Sequence, residues 1–177
     1  DARFKRWVIG SIISRTYYHN MVTHLLEAAY QREVYKKVDN GESLTAPVLN
    51  KLIRNVYEQF FGDAVELTDG MELTWMRQPH YYMGLYSYTY SAGLTIGTVV
   101  SQKIKKEGQK AVDAWLETLK AGGSKNPVEL AKVAGVDITT NAPLKSTIAY
   151  ISELVDEVET LTNEIDKCIA NCLGFFA

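Results

Sequence analysis

Apolar side chains recur every three to four positions through most of the chain, which is the period of a helix rather than of a strand. From Phe4 they run through Trp7, Val8, Ile12, Ile13, Met21, Val22, Leu25, Leu26, Ala29 and Tyr30. This spacing predicts one long helix, or two nearly collinear ones, ending near Val38, where Asp39, Asn40 and Gly41 break the pattern. A second start signal follows at once. Thr45 can cap, Pro47 falls in the first turn, and Leu49, Leu52, Ile53, Val56, Tyr57 and Phe60 share a face until Gly62 stops the helix. Residues Gly62 to Met71 read as a loop, Glu72 to Arg77 as a short turn, and Pro79 as an interruption.

From Tyr86 two periods compete. Tyr86, Tyr88 and Tyr90 alternate as in a strand, whereas Leu94, Val99, Val100 and Ile104 recur as in a helix. The helical reading is preferred, from about Gly84 to Glu107, with Gly93 and Gly97 on one face where a neighbouring helix can approach closely. Val112, Trp115, Leu116 and Leu119 make the next helix, closed by Gly122-Gly123. Asn126 caps and Pro127 opens a short helix ending at Gly135, and Asn141 and Pro143 open a final long one carrying Leu144, Ile148, Ile151, Leu154, Val155, Val158, Leu161 and Ile165. With no repeats and no linker, the expectation is an all-α, multi-helix bundle around a single core over residues 1–177.

Composition narrows the partners. Of 177 residues, 46% are apolar and 23% charged, an ordinary globular balance, and the net charge of -2 gives no electrostatic case for nucleic acid or an anionic membrane. No apolar run is long enough to span a bilayer, and the opening DARFKRW leads straight into an amphipathic pattern without a signal peptide. Cys168 and Cys172, four apart, share a helix face. They read as two small buried apolar residues; half a metal site or a redox pair is the alternative.

Candidate chemistry is sparse. Of the three histidines, His19 and His24 are five apart, which turns them about 140° from each other on a straight α-helix and away from a shared metal ion. His24 and Glu27 are three apart, share a face, and read as a structural hydrogen bond. No His-Glu-x-x-His, phosphate-binding Gly-rich loop or Gly-x-Ser-x-Gly elbow occurs. The lysines at 103, 105, 106 and 110 and the acidic group at 156, 157 and 159 read as solvated helix faces. What stands out is Trp75 to Gly93, WMRQPHYYMGLYSYTYSAG, with seven tyrosine, tryptophan and histidine side chains. Each buried phenol or imidazole needs a partner, so this is either an aromatic core patch with satisfied hydroxyls or a polar wall for a ligand. As a wall, His80 and a tyrosine could donate hydrogen bonds to a developing oxyanion. Tyr86 and Tyr88 lie about 200° apart on a helix, so at most one of that pair faces a given ligand.

Three segments resemble oligoendopeptidase F, of the thimet-oligopeptidase-like group of zinc metallopeptidases, in its C-terminal portion. They are SRTYYHNMVTHLLEAAYQREVY (residues 14–35), the Trp75–Gly93 stretch with its Trp-x-x-x-Pro-His-aromatic-Tyr and Tyr-x-Tyr-x-Tyr patterns, and LKAGGSKNPVELAKVAGVD (residues 119–137). Residues 166–177 fall outside the likeness. The resemblance implies a helical body with a deep channel, zinc on a His-Glu-x-x-His helix and a later glutamate ligand, both upstream of the matching region. This chain would then be the substrate-channel part of a cytoplasmic zinc metalloendopeptidase that hydrolyses short oligopeptides. It would need the upstream half as a partner, bind no zinc and be inactive by itself. Residue by residue, the resemblance makes His80 and Tyr88 catalytic, with Tyr86 the alternative register for Tyr88. It makes Tyr82 and Tyr86 substrate contacts and supplies no metal ligand. Apolar surface facing the missing half would be exposed or would drive homo-oligomerisation. The rival reading is a non-catalytic helical scaffold that binds peptides or proteins.

Overall fold

The computed structural model describes the backbone of residues 1–174 and the side chains of residues 1–167. Cys168 and Cys172 lie outside the described side chains. Among the described residues the chain is all-α, with seven α-helices, intervening π and 3₁₀ turns, and no strand. These are α1 (Ala2–Ser11), α2 (His24–Asp39), α3 (Ala46–Phe61), α4 (Tyr88–Glu107), α5 (Gln109–Ala121), α6 (Pro127–Val133) and α7 (Ala142–Gly174). The chain divides into two compact units, residues 19–92 and residues 1–18 with 93 onward.

The unit formed by residues 19–92 has α2 and α3 as its frame. The six-residue connection after Asp39 turns α3 back onto α2, and Pro47 sits in the first turn of α3 as its fixed φ allows. Thr45 occupies the cap position without a side-chain hydrogen bond, so the cap expected there is positional only. Gly62 ends α3 at φ 50°, in the left-handed region that glycine adopts without steric cost. Leu26, Tyr30, Ile53, Val56 and Tyr81 form the buried cluster, and Ile53 is only 1% exposed. Two 3₁₀ turns, Met71–Met76 and Pro79–Tyr82, pack on α3 and α2 respectively. Trp75 Nε1 donates to Asn50 Oδ1 at 2.7 Å, and the Tyr57 hydroxyl pairs with Thr74 Oγ1 at 3.1 Å.

In the other unit α1 packs along α7, and α5 along α6. Arg6 Nε donates to Thr162 Oγ1 at 2.7 Å, and Lys5 pairs with Glu157. Val100, Ala134 and Val136 are the buried cluster here, with Ile96, Ile104, Trp115 and Ile138 against it. Asn126 caps α6 as expected and does so in a full capping box with Glu129. Phe4 and Trp7 stack at 6.0 Å and are each 64% exposed, so the apolar stripe of α1 is only partly covered.

Three expectations are corrected. The segment before α2 is not a continuous α-helix: Ile12–Tyr17 and His19–Thr23 are π-helical, each turn closing on the fifth residue rather than the fourth. The helix expected from Gly84 starts only at Tyr88, because Leu85 adopts φ 53°, a left-handed conformation that costs a non-glycine residue about 1–2 kcal/mol and breaks the helix path. Gly93 and Gly97 admit no close neighbour: both are exposed, and a Cβ on either would meet nothing within 4 Å. The face of α4 that packs carries Thr95 and Thr98 instead. Thr98 Oγ1 lies 2.9 Å from the Tyr17 hydroxyl, and Thr147 Oγ1 donates to the Thr95 carbonyl.

Candidate functional site

The polar centre of the unit formed by residues 19–92 is a buried carboxylate. Glu27, on α2, is 3% exposed and accepts three hydrogen bonds. His24 Nδ1 approaches Oε2 at 2.8 Å, Ser87 Oγ donates to Oε2 at 2.7 Å, and Gln78 Nε2 donates to Oε1. His24 and Ser87 are themselves buried. One carboxylate thus ties the first turn of α2 to the residue before the 3₁₀ turn Pro79–Tyr82 and to the residue before α4. Buried charge is tolerated only when it is satisfied in this way. The expected His24–Glu27 pair is therefore present, as part of a larger knot.

Around that knot the aromatic groups are stacked in order. His24 lies 4.1 Å from Tyr90 at an interplanar angle of 14°, and His19 lies 4.4 Å from His24. The π turn explains the second contact: where a turn closes on the fifth residue, side chains five apart become neighbours instead of diverging by 140°. His80 Nε2 lies 3.2 Å from the Tyr90 hydroxyl, and that hydroxyl donates to the Tyr86 hydroxyl at 3.2 Å. Since Tyr90 spends its proton on Tyr86, it accepts from His80, which places the His80 proton on Nε2. Nδ1 of His80 is buried without a hydrogen-bond partner. The Tyr86 hydroxyl, bonded to Tyr90, holds the Tyr90 phenol above its ordinary pKa. The outer end of this donor chain is Tyr86, 37% exposed, whose own proton is not used within it.

The residues singled out from sequence separate into two sets. His80 and Tyr86 come together, joined through Tyr90. Tyr88, 50% exposed at the first position of α4, and Tyr82, 68% exposed on the 3₁₀ turn, form no hydrogen bond with them. None of the four is sealed in the interior: His80 is half-buried and Tyr82, Tyr86 and Tyr88 are exposed. Sequence reasoning missed Tyr90, Ser87, Gln78 and Gln31. Tyr90 had a signal, the four-residue spacing from Tyr86 that makes helix neighbours. Gln31 had none. It is 1% exposed, and its Nε2 donates to the carbonyls of His80 and Met83, both at 3.0 Å, which fixes the turn carrying His80.

Among the described residues no group of three or more His, Cys, Asp and Glu side chains is arranged to hold a metal ion. The nearest approach to one, His19, His24, Glu27 and His80, does not fit: His24 Nδ1 is committed to Glu27, and the rings stack face to face or edge to face. No helix among the described residues is long and apolar enough to cross a membrane.

The model of peptidase family M3 matches residues 11–150, and the chain belongs to that family. It is 33% identical over 140 residues to oligopeptidase PepF of Bacillus subtilis (strain 168), covering 79% of this chain and 21% of that protein. It is 25% identical over 134 residues to an oligoendopeptidase F homolog of Borreliella burgdorferi, covering 76% and 23%. The crystal structure of oligoendopeptidase-F from Enterococcus faecium superposes with a TM-score of 0.87 at 26% identity, over 93% of this chain and 31% of that one. A putative peptidase from Chlamydophila abortus shares the fold, with a TM-score of 0.81. The chain thus spans about a fifth of the length of these curated relatives.

Proposed function

We propose that this chain forms the substrate-channel part of a metalloendopeptidase that hydrolyses short oligopeptides. On this reading, the zinc and its ligands belong to polypeptide beyond these 177 residues, as does the general base. The chain's own contribution is a set of neutral hydrogen-bond donors. The carrying observation is the His80–Tyr90–Tyr86 chain, fixed from behind by Glu27 and Gln31 and ending in an exposed phenol. Placed beside a scissile carbonyl, such a preorganised donor costs no reorganisation as negative charge develops on oxygen. One donor of this kind is typically worth about 2.7–4 kcal/mol of transition-state stabilisation. Hydrogen bonds in series polarise one another, so Tyr90 and His80 strengthen the donor at Tyr86. Tyr82 remains a candidate for contact with the peptide, and Tyr88, the catalytic phenol that the resemblance implies, is on this reading a peptide contact as well, since both phenols are exposed.

The test is a chimera in which residues 11–150 replace the matching region of Bacillus subtilis PepF, assayed on a quenched-fluorescence peptide. Tyr86→Phe is expected to lower kcat by about two orders of magnitude, and Tyr90→Phe and His80→Ala, which act through Tyr86, by less, with zinc content unchanged. Tyr88→Phe is expected to change it far less. Full turnover in the Tyr86 variant, or in both the Tyr90 and His80 variants, would remove the assignment, and a larger loss at Tyr88 than at Tyr86 would restore the register read from sequence. The scaffold reading predicts an inactive chimera that still binds the peptide.

A further inference from the structure

A cleft of about 310 Å³ is enclosed by α2, the start of α3 and the two 3₁₀ turns. Its walls are Tyr30, Tyr35, Trp75, Tyr81 and Tyr82, and Gln31 joins them. No charged side chain lines it. The volume is at the small end of ligand pockets, sized for one large side chain rather than for a whole peptide. A second groove, between α2 and α3, is larger at about 430 Å³, but Arg32 and Glu33 sit on its rim and nothing there leads to His80.

Two features make the aromatic cleft more than an incompletely filled core. Gln31 is almost fully buried, yet its Oε1 has no hydrogen-bond partner, while its Nε2 holds the carbonyls of His80 and Met83. An unpaired buried acceptor costs about 1–3 kcal/mol, so a residue whose only task was packing would be better served by an apolar side chain. Tyr82, meanwhile, is a wall of the cleft, is largely exposed, and stands two residues from His80. The cleft and the donor chain therefore share a single turn, Pro79–Tyr82, which gives Tyr81 and Tyr82 to the one and His80 to the other.

We propose that this cleft is a side-chain pocket for an uncharged aromatic residue of a bound peptide, and that Gln31 links its occupancy to the position of His80. This deepens the peptidase reading and rests on it for the peptide, but its test needs no cleavage. An aromatic ring gains offset or edge contacts with the five aromatic walls, whereas a carboxylate or ammonium would be stripped of water with no counter-charge. The backbone on either side of that ring would then run past Tyr82 toward the donors.

The experiment titrates the 177-residue chain with N-acetyl-Gly-X-Gly amides, X being Phe, Glu or Lys, following side-chain NMR signals of the Trp75 indole and the Gln31 amide. The Phe peptide is expected to shift both signals saturably, at least about tenfold more tightly than the Glu or Lys peptide, with the Trp115 indole unmoved. Tyr82→Ala, at an exposed position where folding is not at stake, is expected to weaken the Phe peptide at least about fivefold. Gln31→Leu is expected to keep the aromatic preference while moving the His80 imidazole signals, which a role confined to the cleft would not do. Equal affinity for charged and aromatic peptides, shifts at Trp115 as large as at Trp75, or no saturable response at all would overturn the pocket. An inactive PepF chimera alongside a selective Trp75 response would instead remove the peptidase reading and leave the pocket standing.

Discussion

Replacing Glu27 by glutamine tests whether the buried carboxylate holds the site together. The side chain keeps its size and one acceptor oxygen but loses its charge. In the native structure three donors converge on it, His24 Nδ1, Ser87 Oγ and Gln78 Nε2, and Glu27, His24 and Ser87 are all buried. A hydrogen bond to a charged group contributes about 1.5–3 kcal/mol, and one between neutral groups about 0.5–1.5, so each of the three bonds weakens by about 1 kcal/mol. The amide nitrogen must also face at least one former donor. Ser87 can reverse its hydroxyl and accept, which limits that penalty. The sum is a loss of about 3 kcal/mol, a large part of the 5–15 kcal/mol that a domain usually has, but short of unfolding it.

The assay is urea unfolding followed by Trp75 fluorescence in a Trp7→Phe, Trp115→Phe background, because Trp75 belongs to the same compact unit as Glu27. The midpoint should fall with the slope unchanged, the mark of lost stability rather than altered compactness. A double-mutant cycle with Ser87→Ala should give a coupling of at least about 1 kcal/mol, since the two groups are in direct contact. A loss below about 1 kcal/mol with no coupling to Ser87 would refute the reasoning, and with it the claim that Glu27 fixes Tyr90 through His24.

Two further outcomes follow from particular residues. Asn126→Ala removes the side-chain half of the capping box on α6 and should cost about 1 kcal/mol, read as a lowered unfolding midpoint that Asn126→Asp restores. Burial holds the Tyr81 and Tyr30 phenols above the ordinary value, so the folded chain keeps protons that the unfolded chain gives up above about pH 10. Their stability contribution is therefore complete below that pH and lost as pH rises beyond it, by up to about 1.4 kcal/mol per pH unit for each group, and the phenolate absorbance of these two should appear only with unfolding. Phenolate signal from all tyrosines in a chain still folded at pH 12 would contradict it.

The fold was legible because its signals are local. Pro47, Gly62, Gly122, Asn126 and Pro127 mark helix boundaries whose chemistry does not depend on what packs against them, and α3 begins and ends, α5 ends and α6 begins close to where those residues place them. The α4 boundary was not legible for the opposite reason. Nothing in the composition of Gly84-Leu85-Tyr86 announces that leucine, rather than the glycine beside it, takes the left-handed conformation. That choice is made by tertiary contacts: Gln31 holds the Met83 carbonyl and Glu27 holds Ser87, so the two ends of the turn are fixed and Leu85 absorbs the mismatch.

The site shows how one wrong period propagates. On a straight α-helix His19 points away from His24, which is sound geometry applied to the wrong turn; of Tyr86 and Tyr88, expected never to face one ligand together, only Tyr86 lies against His80. The π turns bring His19 against His24, and Tyr86, just ahead of α4, still meets Tyr90 four residues on. Residue types alone singled out the segment and His80 as either an aromatic core patch or a polar wall, without choosing between them. Which phenol serves His80 depends on the handedness of Leu85 and on a glutamine 49 positions earlier, at Gln31, that bonds the His80 carbonyl. A backbone strained by about 1–3 kcal/mol persists only where the surroundings over-determine it, and here those surroundings are Gln31 and Glu27. Relaxing Leu85 should therefore move Tyr90 away from His80, which ties the cost of the strained turn to the donor chain it creates.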